Sequence, residues 1–374
     1  MSTSDRSHSH HSPRQSFFLD MWYAKRWYAW LLLPVSWVYQ LSAIIHQWWQ
    51  KKRAIILPVP VIIVGNITVG GTGKTPVIIA LARSLTAKNV SVGIISRGYG
   101  SRAPYYPYPV SVNDLPHHTG DEPLLIARAT QCPVMIGSHR VAAAQQLLAE
   151  HDVDIILSDD GLQHHRLSRD IEIVVVDSQR GLGNHFCLPA GPLREPAKRL
   201  ASVDWILINR SAGHPRVIQP DTAPSQFSEP LSPSNTQATK PPRLPLDVTL
   251  QPMAWRHVAS QTLYPLAPLP WVNRDKVSLI HTIAGIGNPQ RFFSTIEQLA
   301  INSECYAFDD HHQYIVEDFS SWTNATVLMT EKDAVKCQAL MSEDAMPADC
   351  WSLVVEMDLP DPLIAHIFEQ VNSV

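Results

Sequence analysis

Hydrophobic positions change their rhythm several times along this chain. Residues 1–15 (MSTSDRSHSHHSPRQ) have no apolar period and are rich in Ser and His. With nothing to bury, such a stretch cannot offset the entropy of ordering, and it predicts a disordered tail in which His8, His10 and His11 are solvated rather than metal-bound. Within residues 16–53, the run from Trp27 to Ile45 is uncharged over nineteen residues, with Lys25 and Arg26 before it and Lys51, Lys52 and Arg53 after it. As a helix it would be about 28 Å long, near the hydrocarbon thickness of a bilayer, and the Trp residues at its ends suit the two interfaces. This predicts a membrane-associated helix. Pro34, Ser36, Gln40 and Ser42 would give it one polar stripe, and cations on both sides leave the orientation rule tied, so spanning and interfacial placements both fit. A buried core helix is a third reading. A cleaved signal peptide fits poorly, because the preceding polar stretch is long and no small-x-small site follows.

From residue 54 to residue 210 the pattern becomes short β-branched runs separated by helical stretches. Val59 to Val64, Val90 to Ile95, Val153 to Leu157, Ile171 to Val176 and Trp205 to Ile208 predict buried strands. Pro76 to Thr86 and Arg140 to His151 predict helices between them, which implies parallel strands joined by crossovers. Residues 211–246 crowd eight prolines among Ser and Thr and read as a linker or long surface loop. Residues 247–374 return to the α/β pattern, with strands expected at Val277 to Ala284, Thr326 to Met329 and Trp351 to Met357. The expected fold is therefore α/β: a P-loop NTPase-like parallel sheet domain, a second and smaller α/β domain, and the N-terminal membrane-associated helix.

Composition narrows the function classes. A chain of 374 residues with a formal charge of −4 and 45% hydrophobic residues is neither a disordered acidic chain nor a polybasic nucleic-acid binder. No basic face with interleaved aromatics follows residue 53, so nucleic acid is not an expected partner. Five widely spaced cysteines without a CxxC suggest neither a disulfide framework nor a zinc ribbon, and a reducing compartment is the default.

The strongest chemical signal is VIIVGNITVGGTGKT, Val61 to Thr75, where an apolar strand runs into a glycine-rich turn and then, past Pro76, a helix. In such a loop backbone N–H groups cradle phosphates, Lys74 reaches the β- and γ-phosphates of ATP, and Thr75 ligates Mg²⁺. The nucleotide-binding set is thus Thr68, Val69, Gly70, Gly71, Thr72, Gly73, Lys74 and Thr75, although Thr68 stands where the general pattern has its first glycine. Asp159 and Asp160, at the end of an apolar run and before Gly161, are candidate metal partners. Turn and cap chemistry would account for one of the two.

Eight strings occur in order: Gly65-Asn66 with GGTGKTP (70–76), SRGYG (96–100), GDEP (120–123), SDDGLQH (158–164), AGPLREP (190–196), AGIGNP (284–289), DHHQY (310–314) and TEKDAVK (330–336). Together they resemble the tetraacyldisaccharide 4′-kinase family, the lipid A 4′-kinases of Gram-negative bacteria. The likeness runs from about residue 20 to near the C-terminus, and the Pro-rich 211–246 stretch is longer than it requires. The resemblance implies transfer of the γ-phosphoryl of ATP to the 4′-hydroxyl of a tetraacylated glucosamine disaccharide 1-phosphate, giving lipid IVA at the cytoplasmic face of the inner membrane. A membrane helix close in sequence to the phosphate loop suits a substrate whose acyl chains stay in the bilayer.

A sugar hydroxyl is a poor nucleophile, so such a transfer profits from a carboxylate or a carboxylate-histidine pair. The resemblance points to Asp121 with His311 as that pair, Asp121 removing the proton while His311 orients it or shares its charge, and Lys74 as the third catalytic residue. His312 competes with His311, and Asp121 also suits a helix N-cap before EPLLIARAT. Arg194 and Arg140 have the fork geometry for phosphate oxygens; Arg194 is assigned to the nucleotide. Arg97 reads as solvated, Glu331, Lys332 and Asp333 as a charged helix start, Gln163 and His164 as packing around the metal site, and Phe292 and Phe293 as core. A monomer is expected. The rival class is a membrane-associated P-loop switch ATPase, but those proteins carry a Lys where this loop has Val69, and an aromatic N-terminal segment is not their usual anchor. A binding module with a vestigial loop is opposed by intact Lys74, Thr75, Asp159 and Asp160.

Overall fold

The computed structural model describes residues 7–9, 13–210, 245–271, 279–322, 325–341 and 349–373. Strand β1 (Ser7–Ser9) and helix α1 (Pro13–Tyr23) precede a 3₁₀ turn, Trp27–Leu32, that leads into α2 (Leu33–Lys51). The first α/β unit contains β2 (Val61–Gly65), α3 (Lys74–Thr86), β3 (Val92–Ser96), β4 (Tyr108–Pro109), α4 (Pro116–Thr119) and α5 (Asp121–Thr130). It continues through β5 (Val134–Ile136), α6 (Arg140–Glu150), β6 (Ile155–Asp159), β7 (Ile171–Asp177) and β8 (Trp205–Arg210). The remainder holds β9 (Leu246–His257), β10 (Leu263–Pro265), β11 (Ile280–Ala284), α7 (Pro289–Gln298), β12 (Glu304–Ala307), β13 (Thr326–Thr330), α8 (Glu331–Met341), β14 (Asp349–Met357) and α9 (Asp361–Val371).

The expected strands of the first unit are all present, each displaced by two residues at most. They pair parallel in the order β5-β3-β6-β2-β7-β8, with β2 in the middle. Successive residues of β2 point to opposite faces. Ile62 and Val64 pack under α3, α5 and α9, whereas Val61 and Ile63 pack with Ala143, Ala144 and Leu147 of α6.

Two features depart from a simple division at residue 246. Strand β9 pairs parallel with β8 through Leu246 to Thr249 and then antiparallel with β14 through Leu250 to His257, so it carries one sheet into the other. Helix α9, expected with the second unit, puts Leu363, Ile364 and Ile367 into the core of the first, and Trp205 Nε1 bonds His366 Nδ1 at 3.0 Å. Of the Pro-rich loop expected at residues 211–246, residues 211–244 lie outside the described residues, and Leu246 already belongs to β9.

The N-terminus also differs from expectation. Residues 1–6 and 10–12 of the expected tail lie outside the described residues, but Ser7–Ser9 pair parallel with Cys305–Ala307 and a helix begins at Pro13. An open sheet edge offers backbone hydrogen bonds to any extended segment, whatever its side chains. In α2, Pro34 falls in the first turn, where its missing N–H is not needed, and does not break the helix. The stretch Trp27–Lys51 is the one candidate among the described residues long and apolar enough to cross a membrane, and only 11% of its apolar window is buried. Trp30, Trp37, Val38, Leu41 and Ile45 are exposed, while the small polar Ser36 faces the protein. A core helix has the opposite polarity, so that reading is excluded.

Candidate functional site

The phosphate loop hangs from the C-terminal end of β2 and closes onto the N-terminus of α3. Gly73 makes the last turn at φ +93°, and a β-carbon there would overlap the Asn209 side-chain amide. That amide donates to Thr72 O at 2.9 Å and fixes the loop from β8. Gly73→Ala is therefore expected to raise the KM for ATP by about tenfold or more, since left-handed strain and a displaced Asn209 each cost on the order of 1 kcal/mol; steady-state ATP titration checks it. Asn66 braces the loop from within, donating to Gly70 O (3.1 Å) and accepting from Lys74 Nζ (3.3 Å).

Gly71, Thr72, Gly73, Lys74 and Thr75 line a cleft of about 510 Å³ between α3 and the second unit. Thr68, Val69 and Gly70, expected to cradle phosphate, do not line it. The Val69 N–H donates to Pro192 O at 2.8 Å, Thr68 bridges to Leu193, and the Val69 side chain packs toward Met21 and Trp22. The place of Thr68 and Val69 is structural, because the backbone on either side of Thr68, Ile67 O and Val69 N, is bonded to the loop around Leu193. Across the cleft, the loop after β11 brings Gly287 against Gly71, and a β-carbon at Gly287 would overlap the Gly71 backbone. Asn288 Nδ2 donates to Asp177 Oδ2 at 3.2 Å.

Asp159 and Asp160 end β6 in different environments. Asp160 lies 3.6 Å from Lys74 Nζ and 3.0 Å from Arg194 Nη1. Burial opposes its ionisation, but the two cations hold its carboxyl well below the usual range. Asp159 is buried: Oδ2 accepts from Ser96 Oγ at 3.0 Å, and Oδ1 has no hydrogen-bond partner. Burial, with the negative Glu122 nearby, pushes its pKa up to about 7. Arg140 is not a phosphate clamp. It is 2% exposed and donates to Gly137 O (2.7 Å) and Asp159 O (3.3 Å), so burial commits its fork to backbone.

Asp121 and His311 come together from the two units. His311 Nδ1 is 3.1 Å from both oxygens of Asp121, and the Tyr99 ring lies beside the imidazole at 5.0 Å. Asp121 is the first residue of α5 behind an N-cap at Gly120, and its Oδ1 accepts from the adjacent Glu122 N at 3.0 Å without capping the helix, so the N-cap expectation fails and the pair reading stands. Burial disfavours its charge, yet the hydrogen bond from His311 and the charge of Lys332 hold it far below the ordinary carboxylate range. Burial likewise opposes a charged His311, but the Asp121 hydrogen bond wins and raises its pKa. His312 turns away to Asp318 Oδ2 at 2.9 Å.

Lys332, read from sequence as a charged helix start, sits beside this pair. Its Nζ is 3.0 Å from Glu122, 3.2 Å from Asp310 and 3.8 Å from Asp121, so one ammonium joins carboxylates of both units. Those neighbours raise its pKa against the opposing effect of burial. The TEKD string that carries it was visible; its partners, far away in sequence, were not. Gln163 bonds Glu195 at 2.8 Å, as expected of packing near Asp160. Phe292 and Phe293 are core, with Phe292 also reaching the cleft wall.

A family model described as "Tetraacyldisaccharide-1-P 4'-kinase" matches residues 28–372. Among similar proteins, the tetraacyldisaccharide 4'-kinase of Nitrosococcus oceani is 41% identical over 365 residues, covering 97% of this chain and 96% of its own. That of Legionella pneumophila (strain Corby) is 41% identical over 330 residues, covering 88% and 91%. A crystal structure of LpxK from Aquifex aeolicus in complex with ATP matches in fold with a TM-score of 0.66 at 24% identity, over 92% of this chain and 99% of that one.

Proposed function

The chain belongs to the tetraacyldisaccharide-1-P 4'-kinase family, and we propose that it is an ATP-dependent kinase transferring the γ-phosphoryl to the 4′-hydroxyl of tetraacyldisaccharide 1-phosphate, which forms lipid IVA in lipid A biosynthesis. The observation that carries this reading is the Asp121–His311 pair, assembled from both units and joined through Lys332, 3.8 Å from Asp121, to the cleft that Gly71 to Thr75 line. A switch ATPase needs no acceptor base, and the pair disfavours it.

In this reading Gly71 to Thr75 hold the phosphates by backbone N–H groups at the α3 N-terminus, and Lys74 neutralises charge on the transferring group. The acceptor hydroxyl gives its proton to the Asp121–His311 pair. With Nδ1–H donated to an ionised Asp121, the Nε2 of His311, 3.9 Å from Asp310 Oδ1, is the acceptor, so His311 takes the proton and Asp121 orients it, the reverse of the order the resemblance implies; the raised His311 pKa favours the proton resting there. Lys332 keeps Asp121 ionised throughout.

The donor set also suits Mg²⁺. Asp159 presents a buried oxygen with no partner, and Thr75 stands in the cleft. Thr75, Asp159 and Asp160 would hold the ion, and when bound it would neutralise charge on the phosphates. Arg194 would release Asp160 to the ion or follow it to the nucleotide.

The outward Trp, Leu and Ile face of the N-terminal helix supports seating in the inner membrane, with the ATP site on the cytoplasmic side. Lys52 and Arg53 lie over the Trp48 and Trp49 rings at 3.7 Å, a pairing of cation and amphipathic ring suited to the headgroup level. Donor loop and proton acceptor belong to one chain, so a monomer suffices. The direct test is transfer of labelled γ-phosphate from Mg-ATP to tetraacyldisaccharide 1-phosphate in mixed micelles. Labelled lipid is the expected result; ATP consumption without it would bring the switch ATPase forward.

A further inference from the structure

The inner side of α2 is tied to the loop 186–195, and that loop is tied to the phosphate loop. Buried Ser36 donates from Oγ to Cys187 O (2.9 Å) and accepts from Ala190 N (3.1 Å). Trp22 Nε1 donates to Pro189 O at 2.9 Å, and Tyr39 OH donates to Arg194 O at 3.1 Å. From the other side of the same loop, Pro192 O accepts from Val69 N (2.8 Å), Arg194 N donates to Ile67 O (2.7 Å), and Leu193 bridges to Thr68. The Arg194 guanidinium then reaches Asp160, which faces Lys74. Tyr39 thus holds the carbonyl of the very residue whose side chain holds Asp160.

We propose that Ser36 and Tyr39 are positioning residues of the nucleotide site, through which seating of α2 in lipid and binding of nucleotide are coupled. The proposal rests on the reading that α2 enters lipid and that the glycine-rich loop binds ATP. Burying the outer face of α2 in a bilayer fixes the helix; its inner hydroxyls then fix residues 187–194, which set the entry of the phosphate loop and the reach of Arg194. Coupling of this kind is reciprocal, so nucleotide must strengthen lipid binding by the factor by which lipid strengthens nucleotide binding. If these hydroxyls served stability alone, removing them would lower the melting temperature without changing affinity in the folded protein.

The test uses the full chain, a non-hydrolysable ATP analogue with Mg²⁺, and vesicles of phosphatidylethanolamine and phosphatidylglycerol. Wild type is expected to bind the analogue about fivefold or more tightly when vesicles are present. Tyr39→Phe is expected to lose that enhancement and to raise the KM for ATP by a similar factor, with vesicle partitioning and the KM for the lipid acceptor unchanged. Ser36→Ala leaves the buried Ala190 N–H unpaired, while Cys187 O keeps the Gly191 N–H, and can fail to fold, so Tyr39→Phe decides. Equal affinity with and without vesicles in wild type, or an undiminished enhancement in Tyr39→Phe, overturns the coupling. Wild type that fails to partition onto vesicles, or Lys74→Ala that binds the analogue normally, overturns it together with the reading beneath it.

Discussion

Asp121→Asn is expected to lower kcat for lipid phosphorylation by about 10²–10⁴-fold, or about 3–5 kcal/mol of barrier, while Mg-ATP affinity stays within about threefold. The carboxylate is buried at the start of α5, so Asn fits the same space and the fold is preserved. What disappears is the negative charge that orients His311 and stabilises it once it has taken a proton. The pH profile carries a second signature. Below the His311 pKa the imidazole already holds a proton and cannot accept another, so activity rises with pH through that value. Asp121 raises it above 6.5, and the acid limb of kcat/KM in wild type should lie on that side. Removing the charge removes the cause, so the acid limb of the variant should move to lower pH. A limb that stays in place, or a kcat within threefold of wild type, would show that the pair does not receive the proton.

Much of this site was legible before the coordinates because each part is local in sequence. The strand before Gly65, the glycine-rich turn and the Lys-Thr pair are contiguous, and β2 to α3 folds as that string predicts. Asp121 with His311 was legible through motif resemblance rather than through geometry, for 190 residues separate them. The misses share a cause. Lys332 looks like a helix-start charge until Glu122 and Asp310 arrive from elsewhere; Val69 looks like loop until Pro192 O takes its N–H. Strand β9 hides because its apolar pattern is broken by Pro252 and because it serves one neighbour with its first residues and another with the rest. The register shift between Val354 and Val355 on β14, beside Pro252, accommodates the missing donor.

Lys74→Ala is expected to reduce phosphoryl transfer by about 10²–10³-fold and to weaken Mg-ATP binding as well, a double effect that separates it from Asp121→Asn. Lys74 is 12% exposed, stands at the first position of α3, and points its ammonium between Asn66 Oδ1 and Asp160. It is therefore a cation held over the phosphate loop by an amide and a carboxylate, already in place before nucleotide arrives. Its loss leaves Arg194 as the remaining direct ion-pair partner of Asp160 among the described residues and removes a charge that favours ionised Asp159. The Asp159 carboxyl should then titrate higher in the variant than in wild type, because the cation that favours its charge is gone. Lys74→Arg should not rescue, because a planar fork in place of a compact ammonium needs space that Asn66 and Asp160 occupy. The measurement is single-turnover transfer at saturating and sub-saturating ATP, beside equilibrium binding of an ATP analogue. Binding and transfer both within threefold of wild type would remove the loop from the donor site.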